Sequence, residues 1–144
     1  MRIGSQTLLL VADGENATFF RNTAIGDTIT LELVHTMGLF NEADRDLSDD
    51  RPGHAHVGMS QRRTSYEQRD KHEANVIDFL KGVASISESL MPDFTNMILI
   101  AAPQSLGVLR DLLPKAVMAK VSTQINKDYT KTAMPELEAL LRQI

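Results

Sequence analysis

Six consecutive apolar residues, Met97 to Ala102, run without a break into Pro103. No polar residue alternates with them, so the run has no face to offer to water and reads as a strand buried on both sides. It is too short to be a buried helix with a register of its own. Pro103 suits the first position of a helix, where its missing N–H would have no partner anyway. Leu106, Leu109, Arg110 and Leu113 then follow at helical spacing, with the three leucines on one side. A central strand feeding a helix across a tight turn predicts an α/β sheet, because only a sheet covered by helices buries both faces of such a strand.

With 144 residues, the chain is long enough for one domain with a sizeable core, and its 42% apolar content predicts a globular fold. The net charge of −4 argues against nucleic-acid binding driven by bulk charge, while leaving room for a local basic patch. The absence of cysteine excludes disulfides, thiol nucleophiles and zinc sites built on thiolates. Neither a secretory apolar core nor a membrane span fits the first fourteen residues, MRIGSQTLLLVADG, so cytoplasmic residence is the default expectation.

Three strands are predicted in the N-terminal third. Thr7 to Ala12 forms the first, and Asp13-Gly14 reads as a hairpin turn because Asp-Gly suits positions of positive φ. Ala17 to Arg21 returns antiparallel with Phe19 and Phe20. After a turn from Asn22 to Asp27, Thr28 to His35 alternates Ile29, Leu31 and Leu33 with polar residues, the pattern of a half-buried strand.

From Gly38 to about Thr64 no periodicity is visible, and a polar connection of that length inside one domain is either functional or disordered. Helical pattern resumes at Ser65 and runs to Leu90, with Val76, Ile77, Leu80, Val83, Ala84 and Ser87 tracing its stripe. Ser65 and Gln68 are spaced as a capping box, and Pro92 stands just past the end. Pro114 breaks the helix that follows the central strand and opens a short one through Ala119. Val121, Thr123 and Ile125 alternate as a fifth strand, and Pro135 opens a closing helix bearing Leu137, Leu140, Leu141 and Ile144. The order β-β-β-α-β-α-β-α is that of a ribonuclease-H-like three-layer α/β/α sandwich around a five-stranded mixed sheet.

Several short motifs together carry a family resemblance. They are VADG at Val11–Gly14, FRN at Phe20–Asn22, DRPG at Asp50–Gly53 and SYE at Ser65–Glu67. Asp70 and His72, the run APQSLGVLR at Ala102–Arg110, and Lys127-Asp128 with Thr130 complete the set. On these residues the chain resembles the bacterial host attachment protein family, which is similar in fold to the middle domain of the eukaryotic-type peptide-chain release factor. The resemblance spans nearly the whole chain and implies a ribonuclease-H-like fold. It implies binding residues among Asp13, Arg51, Arg62, Arg63, Ser65, Tyr66, Asp70, His72, Lys127 and Asp128. The family name describes a phenotype and implies no reaction. The release-factor domain works through a Gly-Gly-Gln tripeptide, and this chain has no Gly-Gly pair. Gln61, after Met59 and Ser60, lacks the glycines that would let its backbone approach an ester closely, so peptidyl-tRNA hydrolysis is not carried over.

Other chemistry is thinly supported. A two-metal nuclease needs several carboxylates converging within about 4 Å of its ions. Asp13 stands where one would be, but the central strand supplies no acid and the long helix offers only Glu73 and Asp78 near its start. His54, His56 and His72 with Asp49, Asp50 and Asp70 have metal-ligand chemistry, yet polar loops carry such residues without holding an ion. Ser65, His72 and Asp70 form a hydroxyl, imidazole and carboxylate set, but no Gly-x-Ser-x-Gly elbow presents the serine. No cofactor is implied. In Asp50–Gly53, proline and glycine mark a turn, and Arg51 can either clamp the loop or line a pocket over the strand ends, where Lys127-Asp128 can also face. Arg62 and Arg63 stand without an acid from Gln61 to Ser65, and guanidinium groups there suit phosphates or surface carboxylates. Three readings follow: a non-enzymatic binding module associated with RNA or the ribosome, an attachment or envelope-associated factor using protein or glycan contacts, and, more weakly, a small metal-dependent hydrolase.

Overall fold

The computed structural model describes residues 6–23, 29–38 and 65–143, with side chains from residue 73 onward in the last segment. The expected connection 38–64, with Arg51, Arg62 and Arg63, therefore lies outside the described residues beyond Gly38. The side chains of Ser65, Gln68, Tyr66, Asp70 and His72 lie outside them too, and with them the expected capping box.

Five strands, β1 (Thr7–Ala12), β2 (Asn16–Asn22), β3 (Leu31–Gly38), β4 (Asn96–Ala101) and β5 (Val121–Ile125), form one mixed sheet in the order β3-β2-β1-β4-β5. β1 pairs antiparallel with β2 and parallel with β4, while β4 pairs parallel with β5. The apolar run thus sits between two neighbours, and Ile98 to Ala101 are each at most 3% exposed. Helix α1 (Ser65–Leu90) ends in a 3-10 turn, Met91–Asp93, that carries Pro92. Helices α2 (Pro103–Leu112), α3 (Lys115–Met118) and α4 (Met134–Gln143) follow as the sequence pattern predicts.

Strand alternation divides the core into two layers. Leu8, Leu10, Phe19, Met97 and Leu99 face one side, where they pack with Leu80 and Val83 of α1 and Leu106 and Leu109 of α2. Leu9, Val11, Phe20, Ile98 and Ile100 face the other, covered by Leu137 and Leu141 of α4. The molecule is a three-layer α/β/α sandwich with its helices unevenly shared. Ser87, fully buried on α1, donates its hydroxyl to the Val83 carbonyl at 2.8 Å, which satisfies a polar group in an apolar layer.

Two local departures from simple alternation matter. β3 begins three residues later than the pattern predicts, and its pairing with β2 slips between Phe19 and Phe20, where Leu33 and His35 are the opposite partners. Val34 is the extra residue of this bulge, and it packs on the α1 side. Ile29 and Leu31 are buried as expected, but Leu33 is 51% exposed. Helix α4 is instead tied to the start of β3: Glu138 Oε2 accepts the Leu31 N–H at 2.7 Å, and Arg142 donates to the Ile29 carbonyl at 2.9 Å. A second slip, in β5, makes Ser122 the extra residue, so Val121 packs with the α1 side and Ile125 with the α4 side. Among the described residues, no helix is long and apolar enough to cross a membrane.

Candidate functional site at the carboxyl ends of the strands

Ala12 and Ala101 are register partners at the carboxyl ends of β1 and β4, and there the chain parts. β1 turns back into β2, while β4 passes into α2, with the Ala102 N–H donating to the Ala12 carbonyl at 3.2 Å. Helix α1 crosses this point and continues eleven residues beyond Val76 towards its N-terminus, a length of about 16 Å. Between these elements lies a cleft of about 890 Å³. Such a position, outside the carboxyl ends of strands whose connections diverge, is where α/β sheets most often take ligands.

The floor is apolar, formed by Val76, Ile77 and Leu80 of α1 with Val108 of α2. Ile77 is 42% exposed, so part of the apolar stripe of α1 is turned to this cleft and not into the core. The rim is acidic, carrying Asp13, Glu15 and Glu73. Gln104 and Ser105 close the α2 side. Ala102 caps α2 without a side-chain hydrogen bond, and its carbonyl accepts the Leu106 N–H at 2.8 Å, the bond that opens the helix. The amides of Gln104 and Ser105 belong to the first turn, which has no intrahelical acceptors. Ser105 is only 5% exposed, yet its hydroxyl has no hydrogen-bond partner among the described residues. No fully buried side-chain polar atom among the described residues lacks a partner, so the Ser105 oxygen is open to the cleft that the residue lines.

Asp13 spends its carboxylate on local structure. Oδ1 accepts the N–H groups of Glu15 at 2.8 Å and Asn16 at 2.7 Å, an Asx-type closure of the turn. Oδ2 lies 2.9 Å from the Thr130 hydroxyl, which is also 2.6 Å from Oδ1 of Asp128. One hydroxyl proton thus serves two carboxylates, and the β1–β2 turn is joined to the loop between β5 and α4. Among the site residues expected from sequence, Asp13 and Asp128 are brought together in this way, and Lys127 is exposed beside them. Glycine at position 14 has a different reason from the one the Asp-Gly pattern suggests. Its φ lies outside the left-handed region, and a Cβ there would stand 3.1–3.2 Å from the two methyls of Val76. Close approach of α1, not turn conformation, demands the glycine.

Glu73 and the exposed Asp78 do not join Asp13 in a metal cage: among the described residues, no three His, Asp or Glu side chains are grouped to hold an ion. Sequence reasoning missed Ser105, Glu15 and Gln104 as parts of the cleft. The signal for Ser105 was present, because a serine four residues before Leu109 shares its buried helix face.

Among curated proteins, none matches the sequence. The family model described as Bacterial archaeo-eukaryotic release factor family 12 matches residues 6–141. That match agrees with the release-factor likeness of the fold and carries no statement about attachment to hosts. A five-stranded mixed sheet in a helix-covered sandwich, with a cleft at the ends of β1 and β4 and a family match along nearly its full length, makes the chain a member of bacterial archaeo-eukaryotic release factor family 12.

Proposed function

We propose that the domain is a non-enzymatic binding module that associates with RNA or the ribosome. The family match carries the reading, since the family is named for its relation to release factors. The distribution of charge supports it. From Arg110 to Lys131 the chain holds five bases (Arg110, Lys115, Lys120, Lys127 and Lys131) against two acids, Asp111 and Asp128, in a protein whose net charge is −4. These bases bracket β5, the edge strand among the described residues: Lys115 and Lys120 precede it, Lys127 and Lys131 follow it, and Arg110 reaches it by donating to Gln124 at 2.6 Å. Lysines spaced along an edge suit a phosphate backbone and also discourage strand pairing with other proteins. Arg62 and Arg63, free of acids from Gln61 to Ser65, are proposed as a second basic element. Catalysis by analogy with release factors is not part of the proposal, because the chain has no Gly-Gly pair and the Asp13 carboxylate is committed to its turn and to Thr130.

Titration with mixed cellular RNA at low salt tests the reading. Binding should weaken steeply as salt rises, and each lost phosphate contact should flatten the slope by about 0.7 for single strands. The resemblance to host attachment proteins supports the other reading, contact with a protein or glycan of the envelope. Under that reading RNA binding is absent, and replacing Arg62 and Arg63 costs attachment in cells.

A further inference from the structure

We propose that the cleft at the ends of β1 and β4 takes an extended peptide segment of a partner protein, one in which a lysine or arginine stands beside an apolar side chain. Three observations select that chemistry. The floor of Val76, Ile77, Leu80 and Val108 leaves apolar surface uncovered, with Ile77 42% exposed. On the rim, the carboxylates of Glu15 and Glu73 have no hydrogen-bond or ion-pair partner among the described residues. Finally, Ser105, a 95%-buried residue lining the cleft, has no hydroxyl partner among the described residues and stands beside first-turn amides of α2 that lack intrahelical acceptors, all of them donors suited to an oxygen acceptor.

A peptide meets all three demands at once. Its carbonyl accepts from Ser105 and the α2 amides, and an apolar side chain lies on the floor. The aliphatic stem of a neighbouring lysine or arginine covers Ile77 while its charged head reaches Glu15 or Glu73. An RNA phosphate suits the helix N-terminus alone, but it would have to sit between unpaired carboxylates. The cleft is therefore distinct from the basic margin along β5, and the inference does not depend on RNA binding there.

The test uses the full chain and a capped hexapeptide alternating leucine and lysine, followed by fluorescence anisotropy. Two control peptides replace the lysines by glutamates or the leucines by alanines. The leucine–lysine peptide should bind, and both controls should bind at least several-fold more weakly. Because Glu15 and Glu73 are exposed, the double variant Glu15→Gln/Glu73→Gln keeps the fold. It should weaken binding about three- to tenfold, as expected for two surface charge contacts. Ser105→Ala should weaken it further, whereas Asp111→Asn/Glu136→Gln, which removes as much charge from exposed sites outside the cleft, should leave it unchanged. Equal weakening by both charge-removing pairs would mean non-specific attraction to an acidic protein and would overturn the proposal. Failure of the leucine–lysine peptide to bind, or equal binding of the glutamate peptide, would overturn it as well.

Discussion

The hydroxyl of Thr130 lies 2.9 Å from Oδ2 of Asp13, across 117 residues of chain. Through it the turn that ends β1 is fastened to the loop that leaves β5, the two strands that flank β4. Asp128 approaches the same hydroxyl to 2.6 Å, so Thr130 also separates two carboxylates that would otherwise face each other.

Removing that hydroxyl while keeping its shape isolates the effect. Thr130→Val should cost about 1–2 kcal/mol, the loss of a hydrogen bond to a charged acceptor in a half-exposed setting. Asp13→Ala should cost somewhat more, because it also frees the Glu15 and Asn16 amides. Urea denaturation of the two variants and the wild type measures both. Equal stability of all three would mean that the bridge is not formed in solution.

The contact between Gly14 and Val76 makes a paired expectation. Gly14→Ala should destabilise by about 1–3 kcal/mol, because Val76 is β-branched and has little rotamer freedom on a helix with which to withdraw. Val76→Ala should open the space, so the double variant should recover part of that loss. Thermal unfolding of the four-member cycle checks it, and strictly additive costs would contradict the close approach.

The central strand should tolerate least. Ile100, fully buried between β1 and β5 and packed on the α4 side, should cost about 2–5 kcal/mol when replaced by alanine. The same change at exposed Leu33 should cost well under 1 kcal/mol, which equilibrium denaturation would show.

That contrast also shows how much the sequence reveals. Met97 to Ala102 identified an interior strand with neighbours on both sides because an unbroken apolar run must be covered on both faces, and Pro103 marked the change to helix for a reason of covalent geometry. Alternation placed Leu33 on the same face as Leu31, opposite Phe20, but α4 is fastened to the start of β3 at Ile29 and Leu31, and where a distant helix docks leaves no mark in β3 alone. Asp13-Gly14 was legible as a turn, but the need for glycine came from a helix residue sixty-two positions away. The cleft was least legible. Its acids and Ser105 are ordinary residues in sequence, and only the parting of β1 from β4 collects them.

The basic margin carries its own expectation. Lys120→Ala/Lys127→Ala should lower affinity for mixed cellular RNA and reduce the salt dependence by about 1.4 units of slope, about 0.7 for each lost phosphate contact. Glu15→Gln/Glu73→Gln in the cleft should not reduce RNA affinity. Filter binding across a salt series measures both, and unchanged affinity and slope in the lysine variant would remove β5 from the interface.

Co-sedimentation with purified bacterial ribosomes tests the central claim most directly. At low salt the wild-type protein should pellet with ribosomes, and it should return to the supernatant as salt is raised. The variant lacking Lys120 and Lys127, and the variant lacking Arg62 and Arg63, should pellet less. Wild-type protein that stays in the supernatant at low salt, while also failing to bind free RNA, would contradict an RNA or ribosome association for this domain.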